Sequence, residues 1–274
     1  MKKIFAILMI LVFAVAIAAG CGQNQSQEAA NTQENAQEDA VERIKKAGKL
    51  VVGTSADYPP FEFHQMTNGK DEIVGFDIDL AKAIADELGV ELEIKDIDFK
   101  SIIPAMLANT VDIGIAGFTI TEERKKSVNF SEPYMEGGQQ IVTYKGSGIK
   151  SKEDLAGKTI GVQISTTGEE IAKQIEGAKL KQFDTVDAAM LDLLNKRIEA
   201  VIVDLPVAKA YADSNQDKLE LIGDMLDDAD KAVVLRKEDT TLLEVVNKVI
   251  KDLKDSGELD NLVKKWFVDY KPVN

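Results

Sequence analysis

The chain has 274 residues, 45% hydrophobic and 29% charged, enough for one large domain or two medium ones with a substantial core. Asp and Glu number 47 against 33 Lys and Arg, a formal net charge of −14 that argues against general nucleic-acid binding, which relies on many phosphate-neutralising cations. A single Cys excludes an intrachain disulfide and a zinc site built on several thiolates, and a single His, His64, excludes a His-rich metal site.

The chain opens on an address. Lys2 and Lys3 precede an uncharged apolar run from Ile4 to Ala19, and Ala18-Ala19-Gly20 leads into Cys21. A charged start, an apolar middle and a small-residue end predict a secretory signal peptide over residues 1–20. An uncleaved membrane helix is the competing reading, but a span wants ~20 apolar residues and this run is slightly short. Ala18-Ala19-Gly20-Cys21 resembles the lipobox of bacterial lipoproteins, with Ala18 in place of the usual Leu. That resemblance implies an acylated Cys21 as mature N-terminus, carrying palmitate-type chains that hold the protein on the cell membrane. Residues 21–40 are rich in Gln, Asn, Glu, Ala and Ser and read as a flexible tether.

The body alternates strands and helices. Leu50-Val51-Val52 is a buried strand, and Phe76, Leu80, Ile84 and Leu88 recur at helical spacing before the stop at Gly89. Leu92 and Ile94 alternate with charges as a strand, Ile102, Ile103, Met106 and Leu107 form a helix face, and Val111 to Ala116 is a third strand. The same logic repeats from Gln140. Strands at 140–144, 158–163, 180–183 and 200–203 alternate with helices capped by Ser151, by the Ser165-Thr166-Thr167 run and by Thr185. Asp204 and Pro206 open the next helix, and two helices around Leu242–Leu253 and Leu259–Trp266 close the chain. This is an α/β pattern with parallel pairing. His64, beside Asn68-Gly69-Lys70, reads as an exposed loop residue.

Five motifs then occur in order: Gly53-Thr54-Ser55-Ala56-Asp57-Tyr58-Pro59-Pro60-Phe61, Gly75-Phe76-Asp77-Ile78-Asp79-Leu80, Asp98-Phe99 before Ile102-Ile103-Pro104, Ala116-Gly117-Phe118-Thr119-Ile120-Thr121-Glu122-Glu123-Arg124, and Phe130-Ser131-Glu132-Pro133-Tyr134. Together they resemble the polar amino-acid substrate-binding proteins of ABC importers, family 3 solute-binding proteins with the type II periplasmic-binding fold, over roughly residues 41–270. The resemblance implies two Rossmann-like α/β lobes joined by two hinge strands, near 134–138 and 228–232, with a ligand cleft between them. Lobe 1 is then built from 41–136 and 231–274, and lobe 2 from 137–230.

Arg124 matches the family's carboxylate-binding Arg, and a guanidinium offers the paired donors a carboxylate needs. Taken by itself, it is a solvated basic run with Lys125 and Lys126. Asp204 matches the ammonium-binding acid, and a plain helix N-cap is its other reading. Thr119 supplies a hydroxyl, the Ala116–Gly117 backbone a carbonyl, and Ser165, Thr166 and Thr167 the amides and hydroxyls of a helix start that suit a carboxylate. Tyr58 and Phe99 match aromatics that sandwich the ligand side chain. Ser55 stands where relatives that bind cationic or amide side chains often carry an acid, and Asp57 compensates only if the strand continues. The expected ligand is therefore a free L-amino acid, neutral polar rather than cationic. Asp230-Lys231-Ala232 also departs from the Tyr-Gly common at the second hinge.

The expected protein is a non-catalytic, monomeric receptor, lipid-anchored on the extracytoplasmic side, that hands its ligand to a permease with its ATPase. No cofactor or metal is expected. A dehydratase on the same fold and a ligand-sensing domain are the competing classes. The first needs an acid or base beside the reacting bond, and the cleft set holds no His or Cys. The second would continue into a membrane span and a signalling module.

Overall fold

The structure, a computed structural model, describes residues 39–270. The expected signal peptide, Cys21 and the expected tether up to residue 38 lie outside the described residues. Residues 39 and 40, at the end of the expected tether, are a helix cap and a helix start. Asp39 Oδ1 accepts from the amides of Val41 (2.9 Å) and Glu42 (3.2 Å), capping helix α1 (Ala40–Ala47), which buries Ala40 and Ile44.

The next elements are β1 (Lys49–Thr54), β2 (Asp57–Tyr58), β3 (Glu62–Thr67), β4 (Lys70–Val74), α2 (Phe76–Leu88), β5 (Glu91–Asp96), α3 (Phe99–Leu107), β6 (Ile113–Gly114), α4 (Glu122–Lys125) and β7 (Asn129–Phe130). The second half holds β8 (Gln139–Tyr144), β9 (Thr159–Gln163), α5 (Thr167–Lys173), β10 (Lys179–Phe183), α6 (Val186–Leu194), β11 (Ala200–Asp204), α7 (Leu205–Ser214) and β12 (Leu219–Ile222). Next come β13 (Val234–Leu235), α8 (Thr240–Asp255) and α9 (Glu258–Val263), which continues into a π-helical segment at Lys264–Asp269.

Two five-stranded sheets result, in the orders β5-β1-β6-β13-β7 and β10-β9-β11-β8-β12. In the first, β1 pairs in parallel with both β5 and β6, and β13 runs antiparallel to β6 and β7. In the second, β9 pairs in parallel with β10 and β11, and β8 runs antiparallel to β11 and β12. Parallel strands need crossover helices, and α2, α3, α5 and α6 supply them. The chain passes between the sheets twice, from β7 to β8 and from β12 back to β13. Lys231 sits where the passages meet, bridging both Thr119 and Met135 as an antiparallel partner.

A third sheet, β2-β3-β4, was not expected. His64 lies on β3 rather than in a loop. The sequence hides this because Glu62–Thr67 shows only a short alternation. The turn at Asn68-Gly69 is there, both residues having positive φ (53° and 79°), as a two-residue hairpin requires. His64 Nδ1 lies 2.9 Å from Asp71 and Nε2 lies 3.1 Å from Asp96. Gly75 makes the hairpin's return to α2 possible. Its φ is 139°, and a Cβ there would lie 2.0 Å from the Phe61 carbonyl oxygen. At the other end, α8 packs on α1 and α2, and the Trp266 indole donates to Asp79 Oδ2 at 2.7 Å.

Candidate functional site

The ends of β1, β9 and β11 and the segment after β6 converge on a narrow pocket, partly open to solvent. Ligands of open α/β sheets gather at such strand ends. Ser55, Tyr58, Phe99, Ala116, Gly117, Thr119, Arg124, Thr166, Thr167 and Asp204 all stand on its wall. Ser165 does not. Its φ of 67° turns its carbonyl to accept from Arg124 Nη2 at 2.9 Å, while its amide donates to Glu169. Three wall residues were not expected as ligand contacts: Asp57, Glu62 and Gln163.

Arg124 departs from the solvated run around it. Lys125 and Lys126 pair with Glu122 and Glu123 on the outside, whereas the guanidinium turns inward. Nη1 donates to the Thr119 carbonyl at 2.8 Å, and the guanidinium carbon lies 5.4 Å from the ring centres of both Phe99 and Phe118. The two rings stack on each other at 4.6 Å. Thr121 caps α4 by accepting from the Arg124 amide at 3.1 Å, so the short helix start sets where the side chain leaves the backbone.

Asp204 occupies the N-cap position of α7 but its carboxylate caps nothing. Oδ2 accepts from the Tyr58 hydroxyl at 2.5 Å; Oδ1 accepts from Gln139 Nε2 at 2.7 Å and from Lys231 Nζ at 2.5 Å. The Gln139 bond follows from register, since Gln139 and Asp204 are opposite partners on β8 and β11. Burial and the Asp204 charge push the Tyr58 phenol well above its ordinary range, so it keeps its proton and donates. Thr167, at the start of α5, accepts from Gln139 Nε2 at 3.0 Å. Gly168 lets that helix approach: a Cβ there would lie 2.7 Å from the Ile202 carbonyl oxygen.

The opposite wall is acidic. Strand β1 ends at Thr54, yet Asp57 still reaches the pocket, because the chain turns back and the Asp57 amide donates to the Ser55 carbonyl at 2.8 Å. Ser55 Oγ then donates to Asp57 Oδ1 at 2.8 Å, and the other oxygen accepts from the Val186 amide and from Gln163 Nε2. Burial pushes Asp57 up to about 6 against these donors. Glu62 is 1% exposed, and its carboxyl shares a hydrogen bond with the Asp77 carboxyl. Burial, then the neighbouring Asp77 and Asp57, hold Glu62 well above the carboxylate range. Burial also pushes Asp77 up to about 6, although it accepts from the Gly117 amide (2.7 Å) and the Tyr134 hydroxyl (3.0 Å). The Phe61-Glu62-Phe63 spacing could have flagged Glu62, an acid flanked by two aromatics that are buried here.

Residues 50–269 match the bacterial extracellular solute-binding proteins, family 3, and the chain belongs to that family. It is 40% identical to the arginine-binding extracellular protein ArtP of Bacillus subtilis, over 81% of this chain and 88% of that one. It is 35% identical to the ABC transporter glutamine-binding protein GlnH of the same organism, over 97% and 98% of the two chains. A solved structure of AbpA, an amino acid ABC transporter substrate-binding protein of Streptococcus pneumoniae bound to L-arginine, superposes with a TM-score of 0.79 at 37% identity, over 82% of this chain and 97% of that one. The fold is that of the type II periplasmic amino-acid-binding proteins. The protein is an extracytoplasmic amino-acid-binding component of an ABC transporter, and a binding protein rather than an enzyme.

Proposed function

We propose that the ligand is a cationic L-amino acid, arginine in preference to others. Arg124 takes its carboxylate, Asp204 its ammonium, and Glu62 with Asp57 its guanidinium. The observation carrying this reading is the pair of buried carboxyls, Glu62 and Asp57, on one wall of the pocket. Such a pair suits a guanidinium, which brings five donors together with a positive charge. Ser55 in place of an acid favours a neutral side chain, but the two carboxyls beside it outweigh one hydroxyl. The arginine ligands of ArtP and AbpA support the same choice. A neutral amide such as glutamine is the second reading, favoured by Ser55 and Gln163 on the wall and by the likeness to GlnH.

In this reading the lobes, 41–136 with 231–274 and 137–230, rotate about segments near 134–138 and 228–232. Arg124 and Asp204 then stand on different lobes, and a ligand favours the closed arrangement only through interactions the open one lacks. Thr119, Thr166, Thr167 and the Ala116–Gly117 backbone complete the head-group site, and Tyr58 and Phe99 flank the side chain. The protein works as a monomer, tethered to membrane lipid through acylated Cys21, and delivers the ligand to a permease with its ATPase. Calorimetry over the amino acids tests the reading: arginine binds most tightly and glutamine more weakly. Tightest binding of glutamine or another neutral amino acid would overturn it.

A further inference from the structure

Lys231 is 1% exposed, and it stands directly behind the head-group wall. Its Nζ donates to Thr119 Oγ1 at 2.7 Å and to Asp204 Oδ1 at 2.5 Å, and both acceptors line the pocket. Its backbone is fixed as well. The Lys231 amide donates to the Met135 carbonyl at 2.8 Å, and its own carbonyl accepts from the Tyr134 amide at 2.9 Å. The ammonium therefore reaches Asp204, on β11, from the point where the two passages between the sheets pair.

A carboxylate offers about four acceptor sites. Asp204 gives two on Oδ1 to Gln139 and Lys231 and one on Oδ2 to Tyr58. One remains for a ligand. The negative charge that an α-ammonium would meet is already shared with a cation from the protein.

We propose that Lys231 is an internal cation of the head-group site: it shares Asp204 with the ligand's α-ammonium and so sets how strongly the protein insists on that group. The inference rests on the proposed role of Asp204 as ammonium acceptor. Lys231 keeps the buried carboxylate paired whether or not an α-ammonium is present, and its like charge opposes the incoming one. The selectivity between arginine and its des-amino analogue, 5-guanidinopentanoate, is thus held down by residue 231.

Calorimetry with both ligands on the wild type, Lys231→Met, Lys231→Arg and Asp204→Asn tests this. In Lys231→Met the ratio of the two affinities should rise by roughly tenfold or more, because only arginine then re-pairs Asp204. Lys231→Arg should keep the wild-type ratio. A merely structural lysine would weaken both ligands alike, and an unchanged or lower ratio in Lys231→Met overturns the inference. If Asp204→Asn leaves the wild-type ratio intact, the head-group reading itself fails and takes the inference with it. If Asp204→Asn lowers the ratio while Lys231→Met does not raise it, the inference alone fails. The wild type gives a readout that needs no stable variant. The Lys231 ammonium resonance in NMR should move on adding arginine and much less on adding 5-guanidinopentanoate, and equal movement overturns the inference.

Discussion

Tyr58 and Asp204 lie 146 positions apart and meet through a hydrogen bond of 2.5 Å, the phenol donating to Oδ2. The first belongs to β2, beside the first sheet, and the second ends β11 in the other. Other pairs repeat the link between the two halves: Arg124 with the Ser165 carbonyl, Asp57 with the Val186 amide, and Lys100 with Asp184. Pocket and junction are therefore built from the same side chains. Any change to the head-group residues should alter both affinity and the balance between open and closed arrangements.

Tyr58→Phe keeps the ring and removes the donor to Asp204. A hydrogen bond to a charged group contributes about 1.5–3 kcal/mol, so arginine affinity should fall roughly tenfold to a hundredfold. Small-angle scattering should show less compaction at a given arginine concentration. Unchanged affinity would mean that the hydroxyl does not order Asp204.

Arg124→Lys keeps the positive charge but loses the planar paired donors and the faces set against Phe99 and Phe118. Arginine binding should weaken markedly, while the melting temperature without ligand changes little. Asp204→Ala should do more. It leaves Lys231 buried without its carboxylate, a break on the scale of about 3–5 kcal/mol, and lowers stability and affinity together. Wild-type affinity in either variant would remove these two residues from the clamp.

Asp57 gives opposite pH signs to stability and binding. Burial holds its folded pKa up at about 6, above the unfolded value, so the fold prefers the protonated form. Its stabilising contribution is complete below about pH 4 and is lost as pH rises through about 6, up to about 3 kcal/mol in all. A guanidinium prefers the ionised form, so arginine affinity should fall as pH drops through the same window. Asp57→Asn should flatten both trends. Melting curves and calorimetry between pH 4 and pH 8 measure them, and parallel slopes in wild type and variant would refute the assignment.

Glu62→Gln tests the acidic wall. Burial favours the neutral carboxyl before ligand arrives, so the amide should cost the free protein little stability, within about 1 kcal/mol. Arginine affinity should drop while glutamine affinity holds or improves. Equal losses for both ligands would assign Glu62 to packing instead.

Cys21→Ser tests the anchor. Lipid labelling should disappear and the protein should move from the membrane fraction to the soluble one. A variant that stays equally membrane-bound, with an unlabelled wild type, would defeat the lipoprotein reading.

The sequence by itself determined the alternation of strands and helices, because apolar spacing, caps and stops are local. Phe76 to Leu88 ends at Gly89, whose φ of 70° closes the helix, and Thr185 caps α6 as its position suggested. The ordered motifs also contain Ser55, Tyr58, Phe99, Ala116, Gly117, Thr119 and Arg124 of the pocket wall. What local pattern does not encode is which distant groups share one buried space. Asp57 read as a ligand acid only if β1 continued; instead a turn and a third sheet bring it and Glu62 inward. Lys231 read as a departure at a hinge, and only the pairing of the two passages aims it at Asp204. Asp204 read as either cap or ligand acid, and the register of β8 against β11, with Tyr58 arriving from β2, directs its carboxylate into the cleft. Charge compensation in a buried site depends on distance in space, and the tertiary structure alone fixes that distance.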